Sequence, residues 1–302
     1  MSASGFTEWA RHFETERDRR AARPDTRWEA GASLPPAVRA SIQRFQAGED
    51  GDSSALFAKA DAAGDPEYAA ALRLFVAEEK NHARLLALLL KAGGATRQPG
   101  HWSDTAFARL RRVPGLQTEL LLLMVAEVVA LRYYRALRDG TDDPLTSEVA
   151  GRILADEERH VPFHCARLRA SVAELPHAAR RPLLAGWQVM LLGAVLVVAA
   201  DHGRALRRLG VGRGPFVADV LRSGAPVVGG DPRDRRLRTR GSAEIRLKWI
   251  AGLLPAHRCR SARWGGRSSA LTARQFCSVA RPSAGVAMST SVPPDGSAVL
   301  GA

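Results

Sequence analysis

The stretch that decides the fold runs from Leu154 to His164 and reads LADEERHVPFH. It contains a Glu-x-x-His pattern, in which Glu157 and His160 share one face of a helix because they lie three residues apart. By itself this pattern is also that of an ordinary solvated helix face. A second copy, Glu79 and His82, occurs earlier in the chain. The functional interpretation of the pattern therefore depends on whether the two copies belong to one site.

Composition favours helices over sheets. The 302 residues are rich in Ala, Leu and Arg, and only 6% are aromatic. The cysteines, Cys165, Cys259 and Cys277, form no Cys-x-x-Cys pair, so neither a disulfide framework nor a zinc ribbon is indicated. A reducing compartment fits this usage, and the N-terminus has no apolar leader segment. We therefore expect a cytoplasmic protein.

The net charge of +13 is concentrated at the C-terminus. Residues 230–302 contain 13 Lys and Arg against 4 Asp and Glu, which leaves 31 basic and 27 acidic groups in residues 1–229. The folded body is therefore nearly balanced, and we expect no nucleic-acid binding from it. The apolar segment from Leu183 to Ala200 is just long enough to span a bilayer, but Gln188 interrupts it. We expect a buried helix there and no membrane association.

Four predicted helices each carry one acid on an otherwise apolar face. The spacings repeat, because Glu49 precedes Glu79 by 30 residues and Glu127 precedes Glu157 by 30 residues. The second and fourth helices add a histidine, and the six positions are Glu49, Glu79, His82, Glu127, Glu157 and His160. The chain thus contains two helical hairpins of one design, Glu followed by Glu-x-x-His.

Burying four carboxylates together is costly, because each is desolvated and each repels the others. Two divalent cations would balance the four charges, and two imidazoles would complete the ligand set. Oxygen ligands with one nitrogen per metal suit iron or manganese better than zinc or copper. The pattern therefore predicts two iron ions, or one Mn and one Fe.

The stretches FQAGEDGDS, FVAEEKNHARLL, MVAEVVALRYY and ILADEERHVPFH together resemble the ferritin-like dimetal-carboxylate superfamily. That group includes rubrerythrins, acyl-carrier-protein desaturases and ribonucleotide reductase small subunits. The resemblance implies a ferritin-like four-helix bundle, with Glu49 and Glu127 each on one metal and with Glu79 and Glu157 bridging both. It also implies terminal ligands at His82 and His160. An additional helix is expected from about residue 181 to 209. The expected fold class is therefore all-α, a four-helix bundle with one further helix.

Several neighbouring residues are candidates to support these ligands. By the same resemblance, Asp156 and Glu78 would hydrogen-bond to the ligand histidines, and the alternative is that each is an ordinary exposed acid. His164 lies one turn beyond His160 and is open to three interpretations: a further ligand, a proton relay or a structural histidine. Tyr134 is either a redox-active tyrosine or a packing residue. Small residues near the acids are expected to leave space for O₂ or a substrate, and these are Ala47, Gly48, Ala83, Ala126 and Ala130.

The sequence divides into three parts. Residues 1–32 read as a charged segment with a short helix near Phe6–Phe13, and residues 33–220 as the helical bundle. Residues 221–302 read as a disordered basic tail or the product of a shifted reading frame.

The expected function is that of a dimetal oxidoreductase that activates O₂ to oxidise a small organic substrate. Two alternatives remain open, a ferroxidase or iron-handling protein and a non-catalytic helical interaction module. An electron donor of unknown identity is implied, and a homodimer is an open alternative to a monomer.

Overall fold

The computed structural model describes residues 4–98 and 115–228, all within one compact unit. Regular structure in these ranges is helical and contains no strand, so the predicted all-α class is confirmed. The helices are α1 (Ser4–Ala22), α2 (Pro36–Glu49), α3 (Ser54–Ala62), α4 (Pro66–Ala92), α5 (Leu116–Gly140), α6 (Pro144–Ala173), α7 (His177–Asp201), α8 (Gly203–Arg208) and α9 (Arg213–Val228). A short 3-10 turn covers Trp28–Ala30.

The two helices that carry Glu-x-x-His begin in the same way. Asp65 caps α4 by accepting a hydrogen bond from the Tyr68 amide at 3.0 Å, and Asp143 caps α6 by accepting one from the Thr146 amide at 2.7 Å. A proline follows each cap, where its missing amide proton and fixed φ favour helix initiation. In both helices the Glu of Glu-x-x-His lies 13 residues after that proline.

The core forms where the acid-bearing helices pack in pairs. Helix α5 packs along α6, α2 packs along α4, and α4 also contacts α6. Their contact faces are apolar at helical spacing, as on α4, where Leu72, Phe75 and Leu86 are buried. The acids lie on these same faces, so packing alone brings them towards a common interior.

The N-terminal segment is more ordered than the sequence indicates. In place of a short helix near Phe6–Phe13, α1 runs from Ser4 to Ala22 and packs on α4. Phe6 lies edge-on to Tyr68 at 5.2 Å between ring centroids, and Phe13 lies edge-on to Phe163 at the same distance. Phe6 and Phe13 are seven residues apart and share a helix face, which is why this charged segment joins the core.

The C-terminal helices differ from the prediction in two ways. The expected helix 181–209 is divided, because α7 ends at Asp201 and α8 begins at Gly203. The expectation of a buried α7 is wrong for most of its surface. One stripe at intervals of four residues is buried, and it comprises Trp187, Leu191, Val195 and Ala199. Helix α9 continues beyond residue 220, while residues 229–302 of the predicted tail lie outside the described residues.

The end of α5 makes a close contact that depends on a glycine. A Cβ atom added to Gly140 would lie 2.1 Å from the carbonyl oxygen of Leu209, whose backbone has little freedom to move. We expect Gly140→Ala to lower the free energy of unfolding by about 2–3 kcal/mol, measured by urea denaturation. Gly186→Ala is the matched control, because Gly186 lies in α7 with no atom within 4 Å of its added Cβ. That variant should be unchanged or stabilised by up to about 1 kcal/mol. Equal effects of the two substitutions would contradict this account.

Candidate metal centre

The six acid and histidine positions singled out in the sequence lie together in the interior. Their ligand atoms form two overlapping groups, and within each group all ligand atoms lie within 4.8 Å of one another. The first group is Glu49, Glu79, His82 and Glu157, and the second is Glu79, Glu127, Glu157 and His160. Glu79 and Glu157 belong to both groups. The arrangement is therefore a buried carboxylate and histidine cluster that could hold metal.

Both imidazoles direct Nδ1 towards the acids. His82 Nδ1 lies 3.4 Å from Glu79 Oε1 and 3.3 Å from Glu157 Oε1. His160 Nδ1 lies 3.1 Å from Glu79 Oε1 and 3.5 Å from Glu127 Oε2. Two ligands at right angles on one ion, each about 2.1 Å from it, are about 3 Å apart. The observed separations are thus close to those of atoms that share an ion.

The outer nitrogens of the two imidazoles are held by acids in a crossed pattern. His160 Nε2, on α6, lies 3.0 Å from Glu78 Oε2 on α4. His82 Nε2, on α4, lies 3.2 Å from Asp156 Oδ2 on α6. Each acid immediately precedes a cluster Glu in the sequence, yet it contacts the histidine of the other helix. This crossing fixes the orientation of both rings and joins α4 to α6 across the site.

Arg20 of α1 joins the two supporting acids and was missed in the sequence. Its Nη1 atom lies 2.5 Å from Glu78 Oε1 and 3.2 Å from Asp156 Oδ1. Arg159 also donates to Asp156. Arg20 continues the seven-residue spacing of Phe6 and Phe13, so the N-terminal segment did contain a signal for an inward-facing arginine. The sequence did not indicate which acids it would meet.

The site also includes Tyr134 and His164, two residues whose roles the sequence left open. Tyr134 donates a hydrogen bond from its hydroxyl group to Glu49 Oε1 at 2.5 Å. His164 is fully buried, with Nε2 4.0 Å from Glu127 Oε1 and no hydrogen-bond partner for either ring nitrogen. Burial and the positive charge of His160 lower the pKa of His164 to about 3, so the ring is neutral. It falls outside both ligand groups.

The pKa values of the four cluster acids are shifted in opposite directions. Burial raises the pKa of Glu49 and Glu127, and the nearby carboxylates raise both further. Burial also acts to raise the pKa of Glu79 and Glu157, but the close approach of the His160 and His82 imidazoles brings both below the usual value.

The acids in turn raise the pKa of both histidines well above the usual value, although burial opposes this. The two imidazoles and the carboxylates of Glu79 and Glu157 therefore favour one another's charged forms.

Several buried polar atoms at the centre have no hydrogen-bond partner. They are Glu79 Oε1, His82 Nδ1, Glu127 Oε2, Glu157 Oε2 and His160 Nδ1. They face one another at 3.1–3.5 Å, so attraction between imidazole and carboxylate offsets only part of the cost of about 1–3 kcal/mol for each buried atom without a hydrogen bond. All five belong to residues of the two candidate ligand groups, and bound cations would satisfy them.

A cavity of about 480 Å³ lies beside the cluster. Cluster residues Glu49, Glu79, Glu127 and Glu157 form part of its wall, and the rest is mainly apolar. Three of the small residues noted in the sequence line it, namely Gly48, Ala126 and Ala130, as does one side of α7. Open space therefore lies beside the acids at three of the five small residues, whereas Ala47 and Ala83 are not among the lining residues. The volume is sufficient for a small organic molecule.

The comparisons with known proteins do not identify this chain. No protein-family model matches it, and the search of curated proteins finds no match.

Proposed function

We propose that this protein is a dimetal oxidoreductase of the ferritin-like type, which uses O₂ to oxidise a small organic substrate. The observation that carries the proposal is the pair of overlapping ligand groups that share Glu79 and Glu157. This ligand set, with one Glu from each of two helices and Glu-x-x-His from each of two others, is typical of bundle-core dimetal carboxylate sites. The helix pairings α2 with α4 and α5 with α6 are compatible with such a bundle.

The ligand chemistry favours iron or a mixed Mn and Fe pair. Each group supplies three carboxylates and one imidazole nitrogen, a set rich in oxygen donors. Glu49 and His82 would complete one site, Glu127 and His160 the other, and Glu79 and Glu157 would bridge them. When bound, the metals would supply the redox chemistry with O₂.

The protein's own residues would orient the ligands and exclude water. Glu78 and Asp156 hold the outer nitrogens of the histidines, so that both Nδ1 atoms stay directed inward. Tyr134 donates to one oxygen of Glu49 and limits the rotation of that carboxylate. The largely apolar walls of the cavity would limit the water beside the acids and accept a substrate with few charges.

The cavity also separates this function from its alternatives. An iron-handling protein would be expected to lead iron inward along an acidic path. Here, apart from the cluster acids and Arg44, the wall of the cavity is formed mainly by apolar residues such as Leu123 and Met190. A purely structural helical module would have no reason to place two fully buried and two largely buried carboxylates together beside open space. An oxidase or oxygenase for an organic molecule accounts for both features.

Metal loading of the full chain tests the proposal. Metal-free protein is incubated anaerobically with Fe(II), or with Mn(II) and Fe(II), then desalted and analysed by mass spectrometry. We expect about two ions per chain. Free Fe(II) at about 100 times the dissociation constant should stabilise the fold by about 2.7 kcal/mol. For a domain of this size, that raises the midpoint of thermal unfolding by about 5–10 °C.

The same experiment, followed by measurement of O₂ consumption, has outcomes that would contradict the proposal. Less than about 0.2 ions per chain, with an unchanged melting temperature, would exclude the metal site. Two bound ions with rapid O₂ consumption and release of Fe(III), but no dependence on organic compounds, would favour the ferroxidase alternative. Reductant-dependent O₂ consumption with retained metal would support an oxidase or oxygenase.

A further inference from the structure

We propose that the exposed face of α7 docks on an anionic lipid surface. In the described residues, the large hydrophobic side chains that are exposed all belong to this helix, and they are Val189, Leu192, Leu196 and Val197. Val189 is 71% exposed and Leu196 is 51% exposed. A continuous apolar face of this kind marks an interaction site on a folded protein. This proposal runs against the expectation from sequence that the protein does not associate with membranes.

Helix α7 has the composition of a membrane-spanning helix, but one side of it packs along the protein body and the other is exposed. An 18-residue window of α7 has a mean hydropathy of 2.2, enough to cross a bilayer by length and composition, yet only 22% of that window is buried. The low burial distinguishes α7 from a core helix. On its other side, Trp187 Nε1 donates to the Leu121 carbonyl at 2.8 Å, and the buried stripe packs on α5 and α9. Held to the body along its length, α7 can lie on a bilayer but does not cross one.

The arginines that flank the exposed face of α7 favour an anionic partner. Arg181 precedes the apolar face and shares its helical stripe, since Ala185, Val189 and Leu192 follow at intervals of four, four and three residues. Exposed arginines also follow α7, on α8, at Arg204, Arg207 and Arg208. An exposed apolar helix that is flanked along the chain by exposed arginines on both sides suits an anionic membrane, where the apolar residues enter the acyl boundary and the arginines meet headgroups.

A second copy of the chain fits this face less well. Two α7 helices packed in either direction would bring arginines at their ends close to arginines of the other copy. No acidic side chain lies between Arg181 and Asp201 to offset them, and Asp201 already pairs with Arg44 at 3.0 Å. Like charges brought together disfavour such a dimer.

The same face borders the cavity beside the acids. Gly193 and Val197 line the cavity and are also exposed, and Met190, Ala194 and Val198 line its inner side. A bilayer under α7 would therefore cover part of the cavity rim. It would supply an uncharged apolar molecule dissolved in the membrane, and this substrate class rests on the proposed oxidoreductase function. The docking itself does not, because it involves no cluster residue.

Vesicle co-sedimentation of the metal-free full chain tests the docking. The vesicles are phosphatidylcholine alone or with about 30% phosphatidylglycerol. We expect partition into the anionic vesicles at least about tenfold stronger than into the neutral ones, and a decrease with added salt. The double variant L192Q/L196Q should bind anionic vesicles at least about tenfold more weakly, because two apolar side chains no longer enter the acyl region.

The control is A70Q/A155Q, which adds two glutamines at exposed positions on α4 and α6 and leaves the basic C-terminal segment unchanged. It should bind vesicles like the parent. Equal binding of L192Q/L196Q and parent, or no binding to anionic vesicles, would overturn the proposal. So would a dimer in analytical ultracentrifugation that L192Q/L196Q converts to a monomer, because the face would then belong to a second copy. Metal loading is measured on separate samples, so failure of docking and failure of the metal site are distinguishable.

Discussion

Glu157→Gln is expected to abolish metal loading, reducing it from about two ions per chain to less than about 0.2. Glu157 belongs to both ligand groups, and its Oε2 atom has no hydrogen-bond partner in the described structure. The amide of Gln keeps the volume of the side chain but removes the charge and one acceptor oxygen. Loss of a residue that hydrogen-bonds to a ligand typically lowers metal affinity by about 10–100-fold, and loss of a shared ligand should lower it further at both sites. Mass spectrometry of Fe(II)-treated protein checks this result.

The neighbouring Glu158 provides the control. Its side chain is 57% exposed and lies 3.5 Å from Arg135, away from the cluster. Glu158→Gln should retain about two ions and the full Fe(II)-induced rise in melting temperature, whereas Glu157→Gln should show neither. If Glu157→Gln still bound two ions, the shared carboxylate could not be a bridging ligand, and the proposed dimetal site would be wrong.

The second large effect is expected at Arg20. In Arg20→Met, the Glu78 and Asp156 carboxylates lose a shared guanidinium group while both remain buried. Arg20 is 25% exposed, so water would replace part of the interaction. We expect the free energy of unfolding of the metal-free protein to fall by about 2 kcal/mol, measured by urea denaturation. Fe(II) affinity should also fall by about 10–100-fold, because the two acids orient the ligand histidines.

Two further variants separate orientation from simple stability. Arg19→Met changes the preceding residue, which is 70% exposed and pairs with Glu16, and it should leave both measurements unchanged. Arg20→Lys keeps the charge but lacks the forked donor that reaches both acids, so it should restore stability more than metal affinity. If Arg20→Met lowered stability without altering Fe(II) affinity relative to Arg19→Met, Arg20 would not act through the histidines.

The local parts of the site were accessible from sequence because helical periodicity is a short-range property. Glu157 and His160 share a face wherever this segment is helical, and the same holds for Glu79 and His82. The repeated spacing of 30 residues then indicated that the two patterns belong to similar hairpins. The Asp-Pro starts of α4 and α6 fix where each helix begins, and this places both patterns at the same depth.

The partners of these residues were not accessible in the same way. Glu78 and Asp156 were expected to support histidines, but the crossed pairing depends on how α4 and α6 are rotated against each other. Arg20 lies 58 residues from Glu78 and 136 from Asp156, and no local pattern links such positions. The exposure of α7 also escaped the sequence, because an apolar segment has the same hydropathy whether neighbouring helices cover it or not.

By itself, the sequence determined the four acid-bearing helices, their apolar faces and the positions of four acids and two histidines on those faces. These follow from spacing along one chain and from the cost of burying carboxylates without partners. Only the tertiary structure decided that the Nδ1 atom of each histidine faces the cluster glutamates, that α1 supplies Arg20, and that a cavity lies between the cluster and α7. These features depend on the packing of helices distant in sequence, which fixes side-chain directions and the space left between them.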